Sequence, residues 1–336
     1  MHPSLLLAAA LRTFARSSAG QASVFAPESP QARAVAHLFW WMFGVGLTIW
    51  LGVAATAIYA AFARRGERGA DDLNHVPATT KRRVEYLIGG AVFVTFLILM
   101  GFLAFDFTAG RALAMHPSAA LTIDVTGHQW WWDVLYEDPN PSKQVETANE
   151  IHVPVGEMVQ FKLRAADVIH SFWAPNLSGK KDLIPGYVTS LYFRADTAGI
   201  YRGQCAEFCG LQHAQMAFYI VAEPRPKFAA YLAAASMPHE NPTDPTLVAG
   251  QRVFMSSGCP LCHSIAGTDA RGTVGPGLSH FKSRGALAAG TLANNRANLT
   301  RWIQNPAAIK PGVRMPALPL DSAQLNALVS YLETLK

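Results

Sequence analysis

Cysteine is scarce in this chain, four residues in 336. So few in so long a chain exclude a scaffold held together by disulfides. Charge is also scarce: Asp, Glu, Lys and Arg make up 15% of residues against 50% hydrophobic, and the net charge is only +5. No long basic run interleaved with aromatics occurs, so no nucleic-acid partner is expected. The length allows two or three domains.

The scarcity of charge is most pronounced near the N-terminus. No Asp, Glu, Lys or Arg falls in 34–63 ("AVAHLFWWMFGVGLTIWLGVAATAIYAAFA") or in 86–105 ("YLIGGAVFVTFLILMGFLAF"), and these read as two spans, about 34–63 and about 86–106. Each run meets the roughly 20 residues that a helix needs to cross a bilayer. A pair of buried core helices is the alternative, but such helices rarely run this long without charge. The intervening loop, 64–83, carries Arg64, Arg65, Lys81, Arg82 and Arg83 at the membrane ends. The positive-inside rule puts this loop in the cytoplasm and everything after Asp106 on the other side. In a bacterium that means a multi-pass protein of the inner membrane, in contact with the lipid bilayer, with its globular part in the periplasm or exterior. Residues 1–33 read as an N-terminal arm or signal segment.

From Leu121 to about Glu223 the pattern shifts to short runs rich in β-branched and aromatic residues, "LTIDVTG", "EIHVPVG", "MVQFKLRA", "SLYFRA" and "AFYIVAE". Strands at this spacing predict an all-β sandwich or barrel over 118–235. A stretch at 236–246, "SMPHENPTDPT", reads as a linker. The last unit, 247–336, opens and closes on helical patterns, the second with an Asp–Ser cap and Leu325, Leu328, Leu332 and Leu335 on one stripe.

All four cysteines lie in two short stretches. In "QCAEFCGLQHAQM" (204–216), Cys205, Cys209, His213 and Met216 follow at intervals of four, four and three. That spacing also fits one helical face, but Gly210 interrupts it and the flanks look like strands. Zinc is a second alternative, although it rarely recruits a thioether. Thiolate, imidazole and thioether together suit copper and electron transfer. In "GCPLCHSI" (258–265), Cys259-Pro260-Leu261-Cys262-His263 has the C-x-x-C-H spacing of covalent haem c attachment, with His263 as an axial iron ligand.

The segment C-x-E-x-C-G-x-x-H-x-x-M resembles the binuclear copper (CuA) loop of cytochrome c oxidase subunit II. "DVIHSF" (167–172), "GHQWWWDVLY" and "KKDLIPG" (180–186) extend the likeness over nearly the first two-thirds of the chain. The resemblance implies a cupredoxin-like Greek-key sandwich in which the thiolates of Cys205 and Cys209 bridge two coppers. His170 and Met216 would complete one coordination sphere, and His213 with the Glu207 carbonyl the other. The Glu207 side chain would reach a magnesium ion shared with subunit I, and Trp130 would receive electrons from cytochrome c. Glu85 aligns with a glutamate at the mouth of a proton channel, though the family's usual Trp and Pro do not follow it here.

The haem motif, "GTVGPGL" (272–278) and "RMPAL" (314–318) fall in the order of a small all-α class I cytochrome c. Met315, rather than Met255 or Met237, would be the sixth iron ligand, and Met–His ligation raises the reduction potential. Together these features resemble a caa-type subunit II with a fused cytochrome c domain. The resemblance implies subunits I and III as partners, a soluble or membrane-bound donor such as cytochrome c, and oxygen reduction coupled to proton pumping in another subunit. No acid–base catalytic residue is expected in this chain. A CuA-bearing subunit of a nitric oxide reductase, or a membrane-anchored copper-delivery protein, is the alternative. Residues 121–235 hold nine Lys/Arg against twelve Asp/Glu, and residues 244–336 nine against four. This contrast predicts that a basic haem domain docks on an acidic copper domain, with the linker keeping it close.

Overall fold

The computed structural model describes residues 22–63, 78–114 and 118–336. Of the expected arm only 22–33 are among them, and of the charged loop only 78–83. The chain divides into two compact units, one formed by 34–116 and the other by 1–33 with 117–336.

The smaller unit is a pair of helices, α1 (Pro30–Ala63) and α2 (Ala78–Ala114), both long and apolar enough to cross a membrane. Proline opens α1, a position where its missing N–H is not needed. Both helices outrun the uncharged stretches. Helix α2 begins before Lys81, Arg82, Arg83 and Glu85, so these residues are helical rather than loop, and it continues beyond 106. Lys, Arg and Glu are good helix formers, so a span need not unwind where its apolar stretch ends. Large side chains such as Trp41, Trp50, Tyr59 and Leu87 are exposed along both helices.

The larger unit begins with a tether. Residues 22–33 lie on the copper-type domain: Glu28 N–H donates to Asn176 O (2.7 Å), Ser29 Oγ to Leu177 O, and Arg33 pairs with Asp196. The arm is therefore tied down from about residue 22.

Ten strands follow: β1 (Leu121–His128), β2 (Trp131–Tyr136), β3 (Val145–Ala148), β4 (Glu150–Pro154), β5 (Val159–Ala165), β6 (His170–Trp173), β7 (Lys181–Leu183), β8 (Thr189–Phe193), β9 (Gly199–Cys205) and β10 (Ala217–Glu223). They form two five-stranded sheets, ordered β3-β2-β1-β5-β8 and β4-β10-β9-β6-β7. The β1–β5 and β4–β10 pairs are parallel and the others antiparallel. This is the sandwich expected from the alternating patterns. Its interior is aromatic: Trp132, Phe161, Phe172, Phe193 and Phe218 are fully buried, with Phe172 and Phe218 stacked at 4.1 Å between centroids. Helix α3 (Arg225–Ala235) closes the domain.

The remaining residues form a mostly helical domain built on α4 (Pro245–Ser256), α5 (Arg296–Gln304), α6 (Pro306–Ile309) and α7 (Ser322–Leu332). A two-residue ladder, β11 (Ala286–Leu287) with β12 (Leu292–Ala293), is its only strand pair among the described residues. Asp321 and Gln324 form a reciprocal capping box at the start of α7. Its stripe Leu325, Leu328, Leu332 and Leu335 is buried. The segment 236–244 is fastened to this domain: His239 N–H donates to Ala266 O (2.9 Å), and Gln251 Nε2 to Asn241 Oδ1 (2.9 Å).

Candidate metal centre

Strands β9 and β10 pair antiparallel, and the loop between them carries the first cysteine cluster. Cys205 N–H donates to Met216 O (2.9 Å), which closes the neck of the loop. The loop thus returns on itself, and the helical-stripe alternative fails. Strand β6 lies beside β9, with Phe172 opposite Cys205, and this brings His170 under the loop.

The sulfur and nitrogen donors converge. Cys205 Sγ lies 3.7 Å from Cys209 Sγ and 3.9 Å from His170 Nδ1. Cys209 Sγ lies 3.7 Å from His213 Nδ1 and 3.8 Å from Met216 Sδ. The Glu207 carbonyl faces Cys205 Sγ at 3.2 Å. Its carboxylate turns elsewhere, 3.9 Å from Lys180 Nζ. His170, Cys205, Cys209 and Met216 are all buried. The two cysteines are free thiols, so both sulfurs remain available to a metal.

Electrostatics at this point favour thiolate. The contact with the Cys209 S–H, offset in part by burial and reinforced by His170, holds the Cys205 thiol down at about 3. Cys209 is pushed up by its hydrogen bond to Cys205, by burial, and by the negative charge on that neighbour. A cation between the two sulfurs would relieve that repulsion. Buried thiolates, imidazoles and a thioether form a soft donor set that fits copper.

The positions around the donors are also fixed. Asp167 Oδ1 lies 2.8 Å from His170 Nε2, and Asp167 also accepts the backbone N–H of Val168 and of Gln129. Such a carboxylate selects the tautomer that leaves Nδ1 free to ligate. Burial alone would lower His170, but Cys205 and Asp167 outweigh it and raise its pKa. Gly127 leaves room for the ring, since a Cβ there would stand 2.9 Å from His170 Cδ2.

The three tryptophans separate by role. Trp132 is core, edge-on to Phe172 and Phe218. Trp131 stacks on His128. Trp130 donates Nε1–H to Cys209 O at 3.0 Å, and its backbone carbonyl accepts from Lys310 Nζ of the helical domain (2.8 Å).

That domain holds the second cluster. Cys259 lies on a 3-10 turn (Cys259–Leu261) that follows α4, with Cys262 and His263 next. These three residues line one cavity together with Met315, Phe254, Leu299, Ile303, Leu328 and Leu332. Met255, partly buried, packs against the core and Met237 is exposed; neither lines the cavity. His263 Nδ1 lies 2.8 Å from the Pro276 carbonyl, so it carries the proton and leaves Nε2 unprotonated. Burial lowers the pKa of His263, which keeps the ring neutral. Gly275 faces the ring at a distance that no Cβ could occupy. Arg284, itself buried, lines the same cavity with its Nε lacking a partner. An apolar cavity with two thiols, a neutral imidazole, a thioether and one unpaired guanidinium N–H fits a haem with its carboxylates.

Sequence reasoning missed Asp167, Gln129, Arg284 and Lys310. Asp167 lay inside the quoted "DVIHSF" stretch, three residues ahead of His170, and a carboxylate at that spacing was a readable signal. The others had none. Lys310 is almost fully buried, donates to the carbonyls of Trp130, Gln215 and Ala288, and is pushed by burial down to about 7. Glu85, on α2, belongs to the other unit.

A β-sandwich with a buried cysteine–histidine centre, joined to a helical domain with a C-x-x-C-H cavity, has the make-up of proteins that hold copper and haem c. Comparison with known proteins makes this more specific. Residues 138–223 match the family described as cytochrome c oxidase subunit II, periplasmic domain, and residues 247–336 match cytochrome c. The chain is 40% identical over 215 residues to cytochrome c oxidase subunit 2 of Alkalihalophilus pseudofirmus, covering 64% of this chain and 61% of that one. It is 33% identical over 228 residues to cytochrome c oxidase subunit 2 of Bacillus sp., covering 64% and 62%. The chain thus spans a little over three fifths of the length of these relatives. The crystal structure of the periplasmic domain of subunit II of cytochrome oxidase (CoxB) of Bradyrhizobium japonicum is 34% identical, with a TM-score of 0.34, covering 36% of this chain and 96% of that one. A caa-type subunit II, copper domain fused to cytochrome c, fits both domains. The subunit II domain implies copper, and the cytochrome c domain implies haem c.

Proposed function

We propose that the chain is the electron-receiving subunit of a haem-copper oxidase. It takes electrons at haem c and passes them through a binuclear copper centre to subunit I, where oxygen is reduced to water and protons are pumped. When bound, the two groups supply reversible one-electron storage. The protein's own residues hold them. Cys205, Cys209, His170, His213, Met216 and the Glu207 carbonyl would hold the coppers. A sandwich that holds these donors fixed keeps the ligand set nearly the same in both oxidation states, which lowers the cost of each transfer. Cys259 and Cys262 anchor the haem, His263 Nε2 and Met315 ligate its iron, and Arg284 Nε meets a haem carboxylate.

One observation carries the reading. Trp130 touches both centres' surroundings: its indole N–H is bonded to the Cys209 carbonyl, and the residue lines the haem cavity. These two contacts support a route from the haem to the copper pair through Trp130. The Glu207 carboxylate serves a magnesium ion at the boundary with subunit I, and Glu85 lies at a proton inlet there. The copper and haem domains stand on the periplasmic side of the bacterial inner membrane, anchored by α1 and α2, with residues 64–83 toward the cytoplasm. Subunit III completes the proposed assembly.

Rapid mixing of the isolated oxidase with a reductant under anaerobic conditions tests this. The haem c band should reoxidise in step with bleaching of the near-infrared band of mixed-valence copper. Independent kinetics at the two centres would reject it.

A further inference from the structure

We infer that the fused haem domain also acts as a lid, latched by Lys310, which closes Trp130 to outside donors and makes haem c the only route to the copper pair. This rests on the copper reading above and adds a restriction that the reading does not contain.

Trp130 stands at the end of the sandwich, where a soluble donor would have to dock, yet only 9% of it is exposed. Gly210 of the copper loop lies against one part of its ring system, and Gly312 of the haem domain against another, its Cβ position 3.4 Å from the ring. The haem-domain segments 288–289 and 310–312 hold this cover in place. Lys310 Nζ reaches the carbonyls of Trp130 and Gln215 across the boundary and that of Ala288 on its own side. Gln212 Nε2 donates to Pro311 O (2.7 Å), and Ala217 N–H to Ala289 O (3.0 Å).

The chemistry of this contact differs from the charge-steered docking that the net charges predict. No direct ion pair joins the copper and haem domains among the described residues, although buried Arg284 of the haem domain is drawn to the carboxylates of Glu150, Glu146 and Asp133. The hydrogen bonds across the boundary go to backbone carbonyls and to the side chains of Glu146 and Glu150. Bonds to carbonyls are not dissolved by salt as exposed ion pairs are. A lid held in this way stays shut at cellular ionic strength. Lys310 holds it through geometry: three carbonyls converge on one ammonium, and two of them would be left without that partner if the lid lifted.

The test uses the intact oxidase carrying this chain, mixed anaerobically with a reduced soluble c-type cytochrome. In the wild type, haem c should be reduced first and copper second, and the haem-to-copper step should hold its rate as salt rises. In Lys310→Glu and Lys310→Met, that step should slow about a hundredfold, as expected for lost positioning. Copper should then also be reduced directly by the soluble cytochrome. Gln212→Leu, which leaves the buried latch intact, should shift both readouts the same way by about tenfold. Copper reduced ahead of haem c in the wild type, or an unchanged order in all three variants, would overturn the proposal. The near-infrared copper band separates the two readings: its absence from the wild type sinks both, and its presence with the wrong order sinks only this one.

Discussion

In the copper domain each donor stands within 3.9 Å of a neighbouring donor, and Cys205, Cys209 and Met216 belong to the same core as the sandwich's aromatic side chains. In the haem domain His263 and Met315 line a cavity walled by the domain's own core residues, Phe254, Leu299, Ile303, Leu328 and Leu332, and closed on one side by Trp130 and its neighbours in the copper domain. One site is lined by side chains of a core that strand pairing already builds, and the other is a cavity at the centre of its fold. The difference teaches where each group contributes. A metal at the sandwich's end joins ligands already aligned by strand pairing. A haem supplies much of the surface against which the helices pack, and so contributes to folding itself.

The sharpest way to break this comparison is to remove each group's anchors in turn. Cys259→Ala with Cys262→Ala should abolish cooperative thermal unfolding of the helical domain, read by calorimetry of the full chain, while copper binding survives. Cys205→Ser should do the reverse. It should leave both domains folded and abolish the signal of shared-valence copper. Haem loss that leaves the helical domain's transition unchanged would show that the cavity is not structural.

A smaller effect is expected at Asp167. Replacing it with Asn leaves His170 in place but removes the carboxylate that selects its tautomer. Copper affinity should fall by about 10- to 100-fold, the usual effect of losing such a partner, in a competition titration.

How much could be read from the sequence follows the same division. Ligand spacing is local, so both cysteine clusters and "DVIHSF" were legible, as were five strands with clear alternation. Strands β2 and β6, "WWDVLY" and "HSFW", are too short or too aromatic throughout to alternate visibly. Strand β9 is broken by glycines, and only its pairing with β10 makes it a strand. The positions that hold the domains together were not legible. Lys310 bonds to a residue 180 positions away, and a lone lysine ahead of Pro-Gly reads as a solvated turn. The linker read as a loose tether for want of any sign that His239 would bind Ala266. Net charge suggested steering, whereas the interface itself is built mainly on backbone carbonyls.

The smallest expected effect concerns Asp133, on β2. Burial, reinforced by Glu146 and opposed by Arg284, raises its carboxyl to about 6. The folded state therefore favours the neutral acid. Its stabilising contribution is complete below about pH 4, near the ordinary Asp value. It is lost as pH rises through about 6. Asp133→Asn should remove that slope from the melting temperature of the copper domain between those limits. A slope that persists in the variant would assign the effect to another group.

The direct test of the central claim is electron paramagnetic resonance, with metal analysis, on the purified full-length chain. Two coppers per chain, with one unpaired electron showing hyperfine coupling to both nuclei, is the predicted result. One copper per chain, with coupling to a single nucleus, would contradict it.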